Sequence, residues 1–297
     1  MTELIVPPAG AHGGDAAAIA LALGVDPADL LDLSQTLNPF APPVETLAVR
    51  HLASLRHYPD STNAEAMLAE VIGVDRDRLR LTSGGASAIA LVAASIGGRV
   101  HAEPDFALYP RQSSGPVWRS DPHSPSGYLA AVDDRADVWD EAFYPLATGR
   151  WSGHREGITI GSLTKTLACP GLRIGYVIAD DVAELVARQP HWPVGSLALA
   201  LLPELLADTN LADWQKQIAD MRQRLTDLLE THEWVVHGAD APWVLVERAG
   251  LREQLAPFGI VVRDCSSFGM AGTCRIAVPS EVGLDALAHA LDQLANE

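Results

Sequence analysis

Lys165 stands in GSLTKTLACPGLRIGY, beside the hydroxyls of Ser162 and Thr164 and eight residues before the guanidinium of Arg173. It is one of two lysines among 21 basic residues, and the rest are arginines. A primary amine can condense with an aldehyde, and hydroxyls with a guanidinium can hold a phosphate. Together they suit a ligand that carries both groups. Most lysines belong to the solvated surface. This one follows GITIGS, an apolar run that reads as a strand, and open α/β sheets bind ligands beyond the carboxyl ends of their strands. The second lysine, Lys216, serves as a contrast. It lies in LADWQKQIADMRQRL, where Leu211, Trp214, Ile218, Met221 and Leu225 recur at helical spacing. Lys216 falls off that stripe, which predicts a solvated position.

Other stretches carry chemistry more ambiguously. LTSGGASAIAL reads as strand, glycines, then helix, an order that offers free N–H groups and the positive end of a helix to an anion. On its own it reads as a turn. Asp140 in ADVWDEAFYPL follows an apolar run, and by itself it is an ordinary helix N-cap. Arg275 sits inside the apolar run TCRIAV, where an arginine is costly unless paired. Arg263 in VVRDCSSFG has the simpler alternative of an exposed cation at a strand end.

These residues need a scaffold. Strands are expected over 78–82, 98–103, 136–139, 157–162 and 173–179, with helices such as ASAIALVAASIG between some of them. Such alternation predicts an open, largely parallel sheet covered by helices. After about residue 180 two long helical stretches lead into EWVVHG, PWVLVE, GIVVRD and TCRIAV, and a last helix closes a smaller α+β part. The formal net charge of −17 argues against nucleic acid and anionic membrane as partners. Any anionic ligand must therefore be gripped by local cations. The three cysteines, Cys169, Cys265 and Cys274, form no C-x-x-C and point to reduced thiols in a cytoplasmic protein. Neither a signal peptide nor a membrane span is expected.

With Lys165 and Arg173 in place, SLTKTLACPGLRIGY resembles the cofactor-lysine motif of the class I/II aminotransferases, the fold type I enzymes that use pyridoxal 5′-phosphate. The resemblance extends along nearly the whole chain. It implies an α/β fold, with a large cofactor domain over 46–184 and a small α+β domain from 1–45 together with 185–297. Lys165 would bind the cofactor aldehyde, and Asp140 would hold a proton on the pyridine nitrogen. Gly85, Ala86, Ser87, Ser162 and Arg173 would bind the phosphate. In HAEPDFALY, Phe106 is the first choice for an aromatic face over the ring and Tyr109 the second, and either could instead belong to the core. Tyr58 in HYPDST would reach the cofactor phosphate of a neighbouring subunit, which implies a homodimer with shared sites. Arg275 would clamp a substrate carboxylate, and Arg263 would bind a second anionic group or bolster the first. No metal is implied.

HGGD near the start, DLSQTLNPFAPP and RDCSSF together resemble the threonine-phosphate decarboxylase branch of that family, linked to cobalamin side-chain synthesis. Histidinol-phosphate aminotransferase is its near relative. The branch implies a small, phosphorylated amino acid or amine as substrate, with His12 and Asn38 near it. A general aminotransferase is a second reading. Two departures support a third, a catalytically reduced binding protein. The segment between 109 and 140 is shorter than the family's. DPHSPSG puts Ser124 where the family has an asparagine for the cofactor's phenolic oxygen, and Phe143 replaces a second tyrosine for that oxygen.

Overall fold

The computed structural model describes residues 6–10 and 12–296. The chain divides into two compact units, Phe40–Lys216 and, combined, Met1–Pro39 with Gln217–Glu297. Along the chain come α1 (Ala16–Leu23), β1 (Leu31–Asp32), α2 (Val44–His51), α3 (Thr62–Ile72), β2 (Leu79–Ser83), α4 (Gly85–Ile96), β3 (Arg99–Val100), β4 (Val117–Ser120) and β5 (Val138–Asp140). Next are α5 (Tyr144–Thr148), β6 (Ile158–Ser162), α6 (Leu163–Thr166), β7 (Ile174–Ile178), α7 (Val182–Leu185), α8 (Ser196–Ala207) and α9 (Leu211–Thr231). The last are β8 (Val236–Gly238), β9 (Trp243–Glu247), α10 (Leu251–Leu255), β10 (Ile260–Val261), β11 (Arg263–Asp264), β12 (Thr273–Ala277) and α11 (Glu281–Ala295).

The larger unit is built on a six-stranded sheet in the order β2-β7-β6-β5-β4-β3. Strands β3 to β6 are parallel, while β7 runs antiparallel to both β6 and β2. All five residues of β7 are buried, as expected for a strand covered on both faces. On one face Ala88, Ile89 and Val92 of α4 meet Trp118, Val138, Ile160 and Val177 from four successive strands. The expected sheet is therefore present, in mixed form. Strand β4 was not expected. It is short and alternates, with Trp118 and Ser120 buried, while half-buried Arg119 pairs with Asp134 at 2.8 Å. The strand expected over 98–103 shrinks to two residues, and His101, Ala102 and Glu103 are exposed.

Parallel neighbours are usually joined through a helix. The links β3–β4 and β4–β5 contain none, so residues 101–116 and 121–137 are irregular. The short segment between 109 and 140 thus carries one strand, β4, and no helix.

In the smaller unit the antiparallel sheet β11-β12-β9-β8 stands beside a parallel pair, β1 and β10. Ala16 and Ile19 of α1 pack with Ala256 and Val261. Arg252, only 1% exposed, pairs with Asp15 and donates to the Pro7 carbonyl at 2.7 Å, which ties the N-terminal segment down. Ser280 caps α11, its hydroxyl accepting the Gly283 N–H at 3.2 Å. Among the described residues no helix is long and apolar enough to cross a membrane, and no cluster of His, Cys, Asp and Glu could hold a metal ion.

Candidate active site

Strand β6 ends at Ser162, and the chain turns at once into α6, which places Lys165 beyond the carboxyl end of the sheet. Lys165 is half-buried, and its Nζ lies 5.9 Å from the centre of the Phe143 ring. Lys216 is exposed on α9, whereas Leu211, Trp214, Ile218, Met221 and Leu225 are all buried.

An anion cradle forms from three separate segments. The twelve-residue helix α4 starts at Gly85, so the Gly85 and Ala86 N–H groups and the positive end of its dipole are available, while the Ser87 N–H donates to the Gly84 carbonyl at 3.2 Å. Gly84 has φ +78°, and a Cβ there would lie 2.4 Å from Nη2 of Arg173. Only glycine allows both that backbone and that approach. A Cβ on Gly85 would meet Ser162 Cβ at 3.2 Å, so the Ser162 hydroxyl faces the same turn. Arg173 is exposed and holds φ +53°, an unusual conformation for a non-glycine residue. Gly85, Ala86, Ser87, Ser162 and Arg173 are thereby brought together.

Asp140 ends β5 and is buried. Its Oδ2 accepts the Tyr109 hydroxyl at 2.8 Å, and its Oδ1 accepts the Ala142 N–H at 2.9 Å. Burial pushes its pKa up to about 6. The two hydrogen bonds and Lys165 oppose that rise, and the charge of Asp105 adds to it. A desolvated acid raised in this way is suited to a cationic partner. Tyr109 is itself buried among the core residues, 5.6 Å from the Trp118 ring, with its hydroxyl committed to Asp140. Half-buried Phe106 stands edge-on to it at 5.6 Å. Ser124 is buried in the loop after β4.

Arg155 went unnoticed in the sequence. Its Nη1 bonds Asp121 at 2.9 Å and Glu141 at 2.7 Å, both carboxylates being buried, and its guanidinium lies 3.5 Å from the Trp139 ring centre. It braces the residues on either side of Asp140. Arg155 also borders a groove of about 900 Å³ with Val117, Tyr144 and Arg150, which includes neither Lys165 nor Asp140.

The smaller unit holds the other candidates. Arg263 of β11 is paired in register with Arg275 of β12, and both are buried. Directly opposite residues share a face, and like charges there repel. Burial and this repulsion both lower the Arg275 pKa. The Arg275 guanidinium lies 4.8 Å from the Trp243 ring and that of Arg263 lies 4.5 Å from Phe268. Partial burial and the nearby Arg263 lower the pKa of His12. Asn38 is 2% exposed. In the larger unit Tyr58 is 79% exposed, and its ring lies 4.7 Å from that of Trp192.

An α/β sheet with a lysine, an acid and an anion cradle at its strand ends defines a phosphate-bearing cofactor fold. The family model for aminotransferase class I and II matches residues 124–293. The chain belongs to that family, whose enzymes use pyridoxal 5′-phosphate. It is 26% identical to histidinol-phosphate aminotransferase 2 of Methylococcus capsulatus, covering 89% of this chain and 90% of that one. That alignment spans 340 positions, more than the 297 residues here, so the relative carries segments this chain lacks. Identity to the threonine-phosphate decarboxylase of Salmonella typhimurium is also 26%, over 87% and 89% of the two chains. The fold matches histidinol-phosphate aminotransferase from Sinorhizobium meliloti in complex with pyridoxal-5′-phosphate. The TM-score is 0.79 at 15% identity, over 100% of this chain and 97% of that one. The donors present fit such a cofactor: an amine for its aldehyde, a buried acid for its ring nitrogen, and N–H, hydroxyl and guanidinium groups for its phosphate.

Proposed function

We propose that this protein acts on a small amino acid or amine bearing a phosphate, and that it is most like threonine-phosphate decarboxylase. The observation that carries this is the buried, cross-strand pair Arg263 and Arg275, with His12 beside Arg263. Two guanidiniums facing one another are relieved by a ligand with more than one negative charge, and the overall charge of −17 leaves little other attraction for it. Bound pyridoxal phosphate supplies an electron sink for a bond at the substrate α-carbon. The protein's own groups do the rest. Lys165 attaches the cofactor and moves a proton at the α-carbon. Asp140 keeps a proton on the ring nitrogen. The first turn of α4, Ser162 and Arg173 bind the cofactor phosphate, and Phe106 covers the ring. Arg275 holds the substrate carboxylate, while Arg263, His12 and Asn38 receive its phosphate. We further propose a homodimer in which exposed Tyr58 reaches the neighbouring subunit's cofactor.

Incubation with threonine phosphate tests the reading. Release of carbon dioxide is expected, in a reaction that needs no 2-oxo acid. Turnover confined to unphosphorylated amino acids, with a 2-oxo acid as acceptor, would overturn it.

Ser124 gives a separate expectation. A serine reaches less far than the family's asparagine and offers one donor in place of two. Ser124→Asn should tighten cofactor binding by about fivefold, the effect of one added hydrogen bond of about 1 kcal/mol. Fluorescence titration of the cofactor-free protein measures it, and unchanged or weaker binding would remove Ser124 from the site.

A further inference from the structure

Phe106 and Tyr109 lie in the irregular stretch between β3 and β4, which contains no helix. A loop of that length is ordinarily mobile unless its backbone groups are tied down. This one is tied from two sides.

On the outside Arg111 folds back along it. Its Nη1 donates to the carbonyls of Ala107 at 3.1 Å and Tyr109 at 2.8 Å. Its Nη2 donates to those of Asp105 at 3.1 Å and Phe106 at 3.3 Å, and its Nε to Glu103 Oε1 at 2.7 Å. The ion pair with Glu103 is exposed and contributes little. The four carbonyls matter more, because one rigid fork holds four backbone groups between Asp105 and Tyr109.

On the inside Asp105 is 3% exposed. Its Oδ1 accepts the Ser120 hydroxyl at 2.6 Å and the Phe106 N–H at 2.7 Å. Its Oδ2 is buried and has no hydrogen-bond partner among the described residues. Burying a half-satisfied carboxylate opposes folding, and such costs gather at functional sites. Ser120 is the register partner of Asp140 on the next strand, and its oxygen also accepts the Ser124 N–H at 2.8 Å. His123 closes the arrangement, with Nε2 donating to the Pro104 carbonyl at 2.9 Å.

We propose that Asp105 and Arg111 are positioning residues for the cofactor site. They clasp the loop against β4, as a covering helix would, so that Tyr109 stays on Asp140 and Phe106 stays beside the ring. Neither is a catalytic residue; they act through Phe106, Tyr109 and Ser120. The proposal rests on the site reading above and adds to it the device that holds a loop without a helix of its own.

The test is the dissociation constant for pyridoxal phosphate, together with the visible circular dichroism of the loaded protein. Asp105→Ala and Arg111→Gln should each weaken binding about tenfold, roughly the loss of one well-placed charged hydrogen bond, and reduce the dichroic band. Their far-ultraviolet spectra should match the wild type. Asp105→Asn keeps an acceptor oxygen for Ser120 and Phe106, and should bind within about twofold of wild type. Wild-type binding by both Asp105→Ala and Arg111→Gln would overturn the proposal, and so would an Asp105→Asn variant no better than Asp105→Ala. Should Asp105→Ala fail to fold, Arg111→Gln, at a partly exposed position, decides alone. Wild-type protein that binds no cofactor would instead overturn the site reading itself, and this proposal with it.

Discussion

Lys165→Ala should abolish covalent attachment of the cofactor and lower turnover by about a thousandfold, within the range for losing a positioned acid–base group. Lys216→Ala should change neither. The contrast is informative because these are the only two lysines. Lys165 is half-buried beyond the end of β6, whereas Lys216 is exposed on α9. Absorbance of the bound chromophore and steady-state rates on both variants measure the effect. A Lys165→Ala protein that kept the chromophore in covalent form, or a Lys216→Ala protein that lost it, would contradict the assignment.

Asp140→Asn should have the second largest effect. Asparagine preserves shape, and its one oxygen can still accept the Ala142 N–H while its NH2 donates to the Tyr109 oxygen in place of the bond now accepted there, but it cannot stay negative beside a protonated ring nitrogen. Removing one member of a buried charge pair costs about 3 kcal/mol at the low end of the range, which corresponds to a loss of roughly two orders of magnitude in turnover. The same carboxyl gives a signature in stability. Its pKa in the cofactor-free protein is raised by burial to about 6, against about 3.9 in an unfolded chain. Between these values the folded state binds more protons than the unfolded one. Stability therefore falls as pH rises from about 4 to about 6, by at most about 3 kcal/mol from this group, and is level beyond. Asp140→Asn should lack that contribution. Cofactor affinity runs the other way: below pH of about 6 the acid must lose its proton to pair with the ring, so binding weakens. Denaturant titrations of both proteins across this range test the first part. Equal pH dependence would contradict it.

Much of the large sheet could be read from apolar runs bounded by glycine and polar residues. Strands β2, β6 and β7 are of this kind, since five successive buried or nearly buried residues leave a local trace. Strand β4 left none. Its four residues alternate, and Arg119 is tolerated there only because Asp134 comes back to meet it. The site divides in the same way. Lys165, Arg173, Gly85 and Asp140 stand next to strand ends, so local spacing exposes them. Asp105, Arg111, Ser120 and Arg155 take their meaning from loops folding back on one another, across 15 residues for Asp105 with Ser120 and 34 for Arg155 with Asp121. No periodicity records such contacts. The best available signal was the acid and the arginine flanking the aromatic residues of PDFALYPR, and in an arginine-rich chain it was easily passed over. Tyr109 shows what tertiary context adds to a sequence reading: its ring packs on Trp118 and its hydroxyl bonds Asp140, while Phe106 is half-buried.

The central claim is that Lys165 is the amine that carries the cofactor, and labelling tests it most directly. Purified protein is mixed with pyridoxal phosphate, reduced with borohydride, digested and mapped by mass spectrometry. The account predicts one stoichiometric pyridoxyl label, on the peptide containing Lys165. A label on the Lys216 peptide or the chain's amino terminus, or no label at saturating cofactor, would contradict it.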